Sequence, residues 1–98
     1  MANYHLTNKA VADLSDIWNY TFDAWSEKQA YIYYLMLLNT CKEVAKKPEL
    51  GKKYDSVYPA LLGYKADQHI IFYTAADKEI VIVRILHNRM DLKSRLND

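Results

Sequence analysis

Four ionisable side chains gathered around the end of one aliphatic run offer this chain's best material for chemistry. The segment 79–91 (EIVIVRILHNRMD) sets Arg84 inside a β-branched stretch and then closes in His87, Arg89 and Asp91. An imidazole near guanidinium groups can move a proton beside a negative charge, or simply hold a structural hydrogen bond. An arginine inside such a strand needs a carboxylate or carbonyl partner, or an open face. The other candidates read more plainly. Asp13 and Asp16 fall in the first turns of a helical pattern, where negative charge favours the helix dipole. His5 and His69 read as structural or exposed. Cys41 stands alone, which excludes an internal disulfide, suits a reducing cytoplasm and reads as a small inert core residue. No His, Cys, Asp or Glu cluster has metal-ligand spacing, and Gly51 and Gly63 cannot build a phosphate-cradling loop. Neither a metal nor a cofactor is expected.

The elements that must position these residues follow from length and pattern. Residues 1–98 make one domain, and 51% hydrophobic against 26% charged residues describes a globular chain. The net charge of +1 hides an uneven distribution. Residues 1–27 hold one lysine against Asp13, Asp16, Asp23 and Glu27, whereas 84–95 hold Arg84, Arg89, Lys93 and Arg95 against Asp91. That asymmetry suits a basic contact surface at one end of the fold, or ordinary solvated charge. The start, MANYHLTNKA, has no signal-peptide pattern. The longest apolar run, 30–38, is far short of the roughly 20 residues needed to cross a bilayer.

Tyr4 and Leu6 alternate with polar neighbours as a short strand does. Thr7 or Asn8 can cap a helix that runs with apolar 3.6-residue spacing to about Trp25. Ser26 with Gln29 has the form of a capping box and opens a second helix, which Pro48 and Gly51 end. Strands follow near 61–66, 69–75 and 79–87, the last two joined by a tight turn around Asp77 and Lys78. A helical turn over 92–96 completes an α+β order: N-terminal strand, α-helical hairpin, then an antiparallel three-strand meander packed on the helices. Strict alternation along the last strand puts Ile80, Ile82, Arg84 and Leu86 on one face and Val81, Val83, Ile85 and His87 on the other. Both faces are then aliphatic, and so short a chain is expected to cover one only. The second helix adds Ile32, Leu35 and Met36 outside its main stripe. A partner protein is the expected cover for this surplus.

These residues resemble the ParE branch of the RelE/ParE toxin superfamily over nearly the full length. The likeness is carried by Tyr4-x-Leu6-Thr7, Ala10, Asp13-Leu14, Ile17, Tyr20 and Trp25, then Gln29-Ala30, Tyr33 and Pro48-x-x-Gly51. Its most specific parts are His69-Ile70-Ile71-Phe72-Tyr73 and Ile85-Leu86-His87-x-Arg89-Met90-Asp91. The resemblance implies a cytoplasmic toxin of a type II toxin–antitoxin module. Such toxins bind DNA gyrase and trap its cleaved-DNA complex, and a ParD-like antitoxin laid along the hairpin and sheet neutralises them. Operator DNA is met only through the antitoxin, and no membrane is involved.

From charge and family position, the expected gyrase-binding surface is Arg84, His87, Arg89, Met90, Asp91, Lys93 and Arg95. The expected antitoxin-binding surface is Ile32, Leu35 and Met36 with the sheet residues Ile80, Ile82 and Arg84. Arg84 is expected to meet an antitoxin acid or an internal one, Asp13 or Asp16, ahead of gyrase. The RelE branch supplies the alternative, ribosome-dependent mRNA cleavage by His87 and Arg89. That chemistry needs a base, an acid and cations around a charged phosphorane. The chain has no tyrosine after Tyr73, and the strand beginning at His69 is apolar where nucleases usually set an arginine. A third reading is an inactive, partner-binding remnant.

Overall fold

The computed structural model describes residues 3–96, apart from the side chain of Lys93. The chain runs β1 (Asn3–Leu6), α1 (Asn8–Ala24), α2 (Glu27–Lys46), a 3-10 turn (Pro48–Leu50), β2 (Lys52–Lys53), β3 (Leu62–Ala66), β4 (His69–Ala75), β5 (Glu79–His87) and α3 (Leu92–Leu96). The expected α+β order is the observed one. The meander β3–β4–β5 is the antiparallel centre of a larger mixed sheet, ordered β1-β5-β4-β3-β2. β1 enters it parallel to β5, with Asn3 opposite Glu79 and Leu6 opposite Ile82.

Side chains set the helix limits. The Thr7 hydroxyl accepts from the Ala10 amide at 3.1 Å, filling the N-cap of α1. The same hydroxyl donates to the Val83 carbonyl at 2.9 Å, which ties that cap to the sheet. α1 ends where the Trp25 amide closes on the Thr21 carbonyl, and Ser26 caps α2 by accepting from the Gln29 amide at 3.0 Å. With only Trp25 and Ser26 between them, the two helices must lie antiparallel. The hairpin is packed by Trp18, whose ring meets Tyr31 and Tyr34 edge-on at 6.4 and 5.8 Å.

One sheet face is buried under the hairpin. Leu14, Leu37, Cys41 and Val44 meet Ile71, Tyr73, Ile80, Ile82 and Ile85 there. A fully buried side chain of this size contributes about 1.5–3 kcal/mol. The second face is also covered, contrary to expectation, and by the chain itself. Leu61, Ile70, Phe72 and Leu86 form a second core beneath Tyr54, Val57 and Tyr58 of the β2–β3 connection and Leu92 and Leu96 of α3. Gly63 makes this possible, because a Cβ there would lie 2.7 Å from the Tyr54 ring. Gly51 does the same for Tyr73, whose hydroxyl passes it to donate to the Pro48 carbonyl at 2.6 Å.

The alternation expected along β5 is also corrected. Phe72 pairs with Arg84 but Tyr73 with Ile82, so Val83 is an extra residue on β5. This bulge reverses the side-chain phase. Ile85 therefore joins Ile80 and Ile82 under the helices, while Leu86 falls in the second core.

Candidate functional site

Past Val83 the strand runs beyond the reach of β1, and α1 takes over that edge with one carboxylate. Asp13, 9% exposed, accepts from Arg84 Nε at 2.8 Å and Nη2 at 2.9 Å, and from the Ile85 amide at 3.0 Å. Arg84 Nη1 donates to the Arg95 carbonyl of α3 at 2.9 Å. Arg84 thus has the internal acid that its setting demands, and its guanidinium is a structural clasp rather than a free contact. Ile80 and Ile82 are 1% and 0% exposed. The expectation that they form an open antitoxin surface is corrected, because this chain's own hairpin fills that space.

His87 ends β5 directly opposite His69, which begins β4. With the phase reversed, both imidazoles lie on the hairpin side, their ring centroids 5.2 Å apart. Tyr33 of α2 completes the group, its hydroxyl 2.6 Å from His69 Nδ1. The Gln68 amide also donates to that hydroxyl, at 3.3 Å. The Arg89 amide donates to His87 Nδ1 at 3.1 Å, which leaves the neutral ring's proton on Nε2. Burial, then the neighbouring His87, lowers the His69 pKa to about 4, so His69 is neutral near pH 7. These residues line an open cleft of about 820 Å³ with Asp16, Tyr20 and Trp25 of the hairpin, Asp67 of the β3–β4 turn, and Met90.

The C-terminal residues named from charge are not gathered into one group. His87 and Met90 line the cleft, but Arg89 does not. Asp91 caps the short helix α3, accepting from the Ser94 amide and hydroxyl at 3.4 and 3.0 Å. Arg95 is exposed, and the side chain of Lys93 lies outside the described part. Burial pushes the Cys41 thiol up to about 12, so it is an inert core group. Among the described residues, no group of three or more His, Cys, Asp or Glu could hold a metal ion.

On the helices, Ile32 and Leu35 are 49% and 40% exposed, whereas Met36 is half-buried against the core. A second groove, of about 550 Å³, runs between the helices beside β1, lined mainly by Leu6, Val11, Leu14, Trp18, Tyr31 and Tyr34. Among the described residues, no helix is long and apolar enough to cross a membrane. Sequence reasoning missed Tyr33 and His69 as members of the cleft. Counting strand pairs back from the turn at Asp77 places His69 opposite His87 to within one residue, which is the signal that could have found them.

Residues 4–92 match the family model described as ParE toxin of type II toxin-antitoxin system, parDE. Toxin ParE1 of Mycobacterium tuberculosis is 33% identical over 96 residues, spanning 97% of this chain and 98% of that protein. Toxin ParE of Escherichia coli is 34% identical over 99 residues, spanning 100% and 96%. A solved chain titled Chromosomal ParDE TA system from P. aeruginosa has the same fold, with a TM-score of 0.77 over 89% of this chain and 96% of that one, at 21% identity. Sequence over almost the whole length and fold therefore agree: the chain belongs to the ParE toxin family of type II toxin–antitoxin systems.

Proposed function

We propose that this chain is the toxic half of a toxin–antitoxin pair and acts by binding DNA gyrase and trapping its cleaved-DNA complex. The family match over residues 4–92 carries the reading. The surface is consistent with binding rather than catalysis. Arg84, the cation set inside the strand, is committed to Asp13, and the acidic residues Asp16 and Asp67 line the histidine cleft. A phosphorane needs cations at that place. The gyrase-binding candidates are the exposed C-terminal groups Arg89, Met90 and Arg95, with His87 at the cleft wall. Purified toxin added to gyrase and relaxed plasmid is expected to inhibit supercoiling and accumulate cleaved DNA. Unaffected gyrase beside cuts in translating mRNA would overturn the reading in favour of RelE-type cleavage by His87 and Arg89.

A ParD-like antitoxin is proposed to cover the hairpin, where the groove along Val11, Trp18 and Tyr31 adjoins exposed apolar residues of α2. Leu35→Lys is expected to weaken antitoxin capture at least roughly tenfold, about 1.4 kcal/mol, in a titration with the purified antitoxin. Full affinity would remove this surface from consideration.

A further inference from the structure

We propose that the histidine cleft is a receptor for a guanidinium group, an arginine side chain presented by a partner protein. Three features of the cleft converge on that chemistry. The first is charge. Asp16 projects from α1 and Asp67 from the two-residue β3–β4 turn, and both line the cleft. Neither carboxylate has an ion-pair partner among the described residues. The negative field of Asp67 reaches inward, since it opposes proton loss at Tyr33 and favours proton uptake at His69.

The second feature is aromatic surface that the fold does not use. Trp25 and Tyr20 are 74% and 72% exposed, the most exposed of the large apolar residues described, and both line the cleft. They stand at the end of α1, where their rings add no core contact. A planar, weakly hydrated cation stacks on such faces, and arginine does so better than lysine while keeping donors free for a carboxylate.

The third feature is that no lysine or arginine stands among the described residues that line the cleft. The Tyr33 hydroxyl lies 2.6 Å from His69 Nδ1, and burial, then the neighbouring His87, lowers the His69 pKa so that this ring is neutral near pH 7. Among the described residues that line the cleft, a phosphate or RNA backbone would meet two carboxylates and neither a lysine nor an arginine. A cation meets two acceptors and a stacking platform. This site is separate from the groove assigned to the antitoxin and does not depend on the gyrase reading, so either can fail alone.

The test is an NMR titration of the full chain with acetyl-Gly-Arg-Gly-amide, followed at the indole NH of Trp25 and the imidazole protons of His69 and His87. The expected result is a saturable shift of these signals. The citrulline analogue, which keeps the shape but not the charge, is expected to bind about fivefold or more weakly. Asp16→Asn and Asp67→Asn are surface changes that leave both cores intact, and each is expected to weaken the arginine peptide about threefold or more. Trp25→Ala tests the stacking face in the same titration. Equal binding of the citrulline peptide, no response to either carboxylate change, or shifts of the same signals by adenylyl-adenosine in place of the peptide would each overturn the proposal.

Discussion

Up to Ile82, β5 has a strand on either side; past Val83 it has β4 on one side and the carboxylate of Asp13 on the other. Both halves satisfy their backbone groups, but with different consequences. In the first half the ladder to β1 is spread over several bonds, and Ile80 and Ile82 are held by packing. In the second half, one side chain accepts three hydrogen bonds, two of them from a cation. Stability there is concentrated in a single residue, and the strand end is left free to carry His87 into a cleft.

Mutation of each half sharpens the contrast. Ile82→Ala removes a wholly buried side chain and is expected to cost about 4 kcal/mol in urea unfolding. A loss under 1.5 kcal/mol would mean that packing does not hold the first half. Asp13→Ala is expected to cost about 3 kcal/mol, because it removes the carboxylate from a mostly buried guanidinium and the acceptor from the Ile85 amide. Asp13→Asn retains an acceptor for that amide and should recover about half of the loss. If the two variants are equally stable, the clasp is not built as described. Thr7→Ala loses the cap of α1 together with the bond to Val83 at the junction of the halves, with an expected cost of about 1–2 kcal/mol.

The last effect is one of pH. The His69 pKa is lowered from 6.5 to about 4 in the folded state, so the unfolded chain binds more protons between those values. Stability from this residue is full above pH 6.5 and is lost as pH falls towards 4. His69→Gln keeps an acceptor for Tyr33, and the variant is expected to show a flatter urea midpoint across that window. An unchanged slope would show that His69 is not held neutral.

Much of this arrangement was legible in advance because it is local. Thr7 and Ser26 mark helix starts through bonds spanning three residues, and the limits of β4 and β5 coincide with changes between apolar and polar residues. What escaped depends on distant pairing. No local signal places β1 parallel to β5, or makes Val83 the extra residue that turns Ile85 inward. The second sheet face looked bare because residues 54–61 follow the lysine-bearing stretch 46–53 and contain the turn formers Asp55, Ser56 and Pro59. Its apolar members, Tyr54, Val57 and Tyr58, act as a lid only once Gly63 lets the chain approach. The same blindness hid His69, whose neighbours come from α2 and from the far end of β5.

The carboxylate on the edge of β5 also bears on self-association. A bare strand edge is a template on which another chain can add its own backbone, and aliphatic edges are the most hazardous. Between Val83 and His87 that template is withdrawn, because the Ile85 amide already has an acceptor and α1 stands where an intruding strand would lie. A chain without Asp13 should therefore not only unfold more readily but also clump from its folded state.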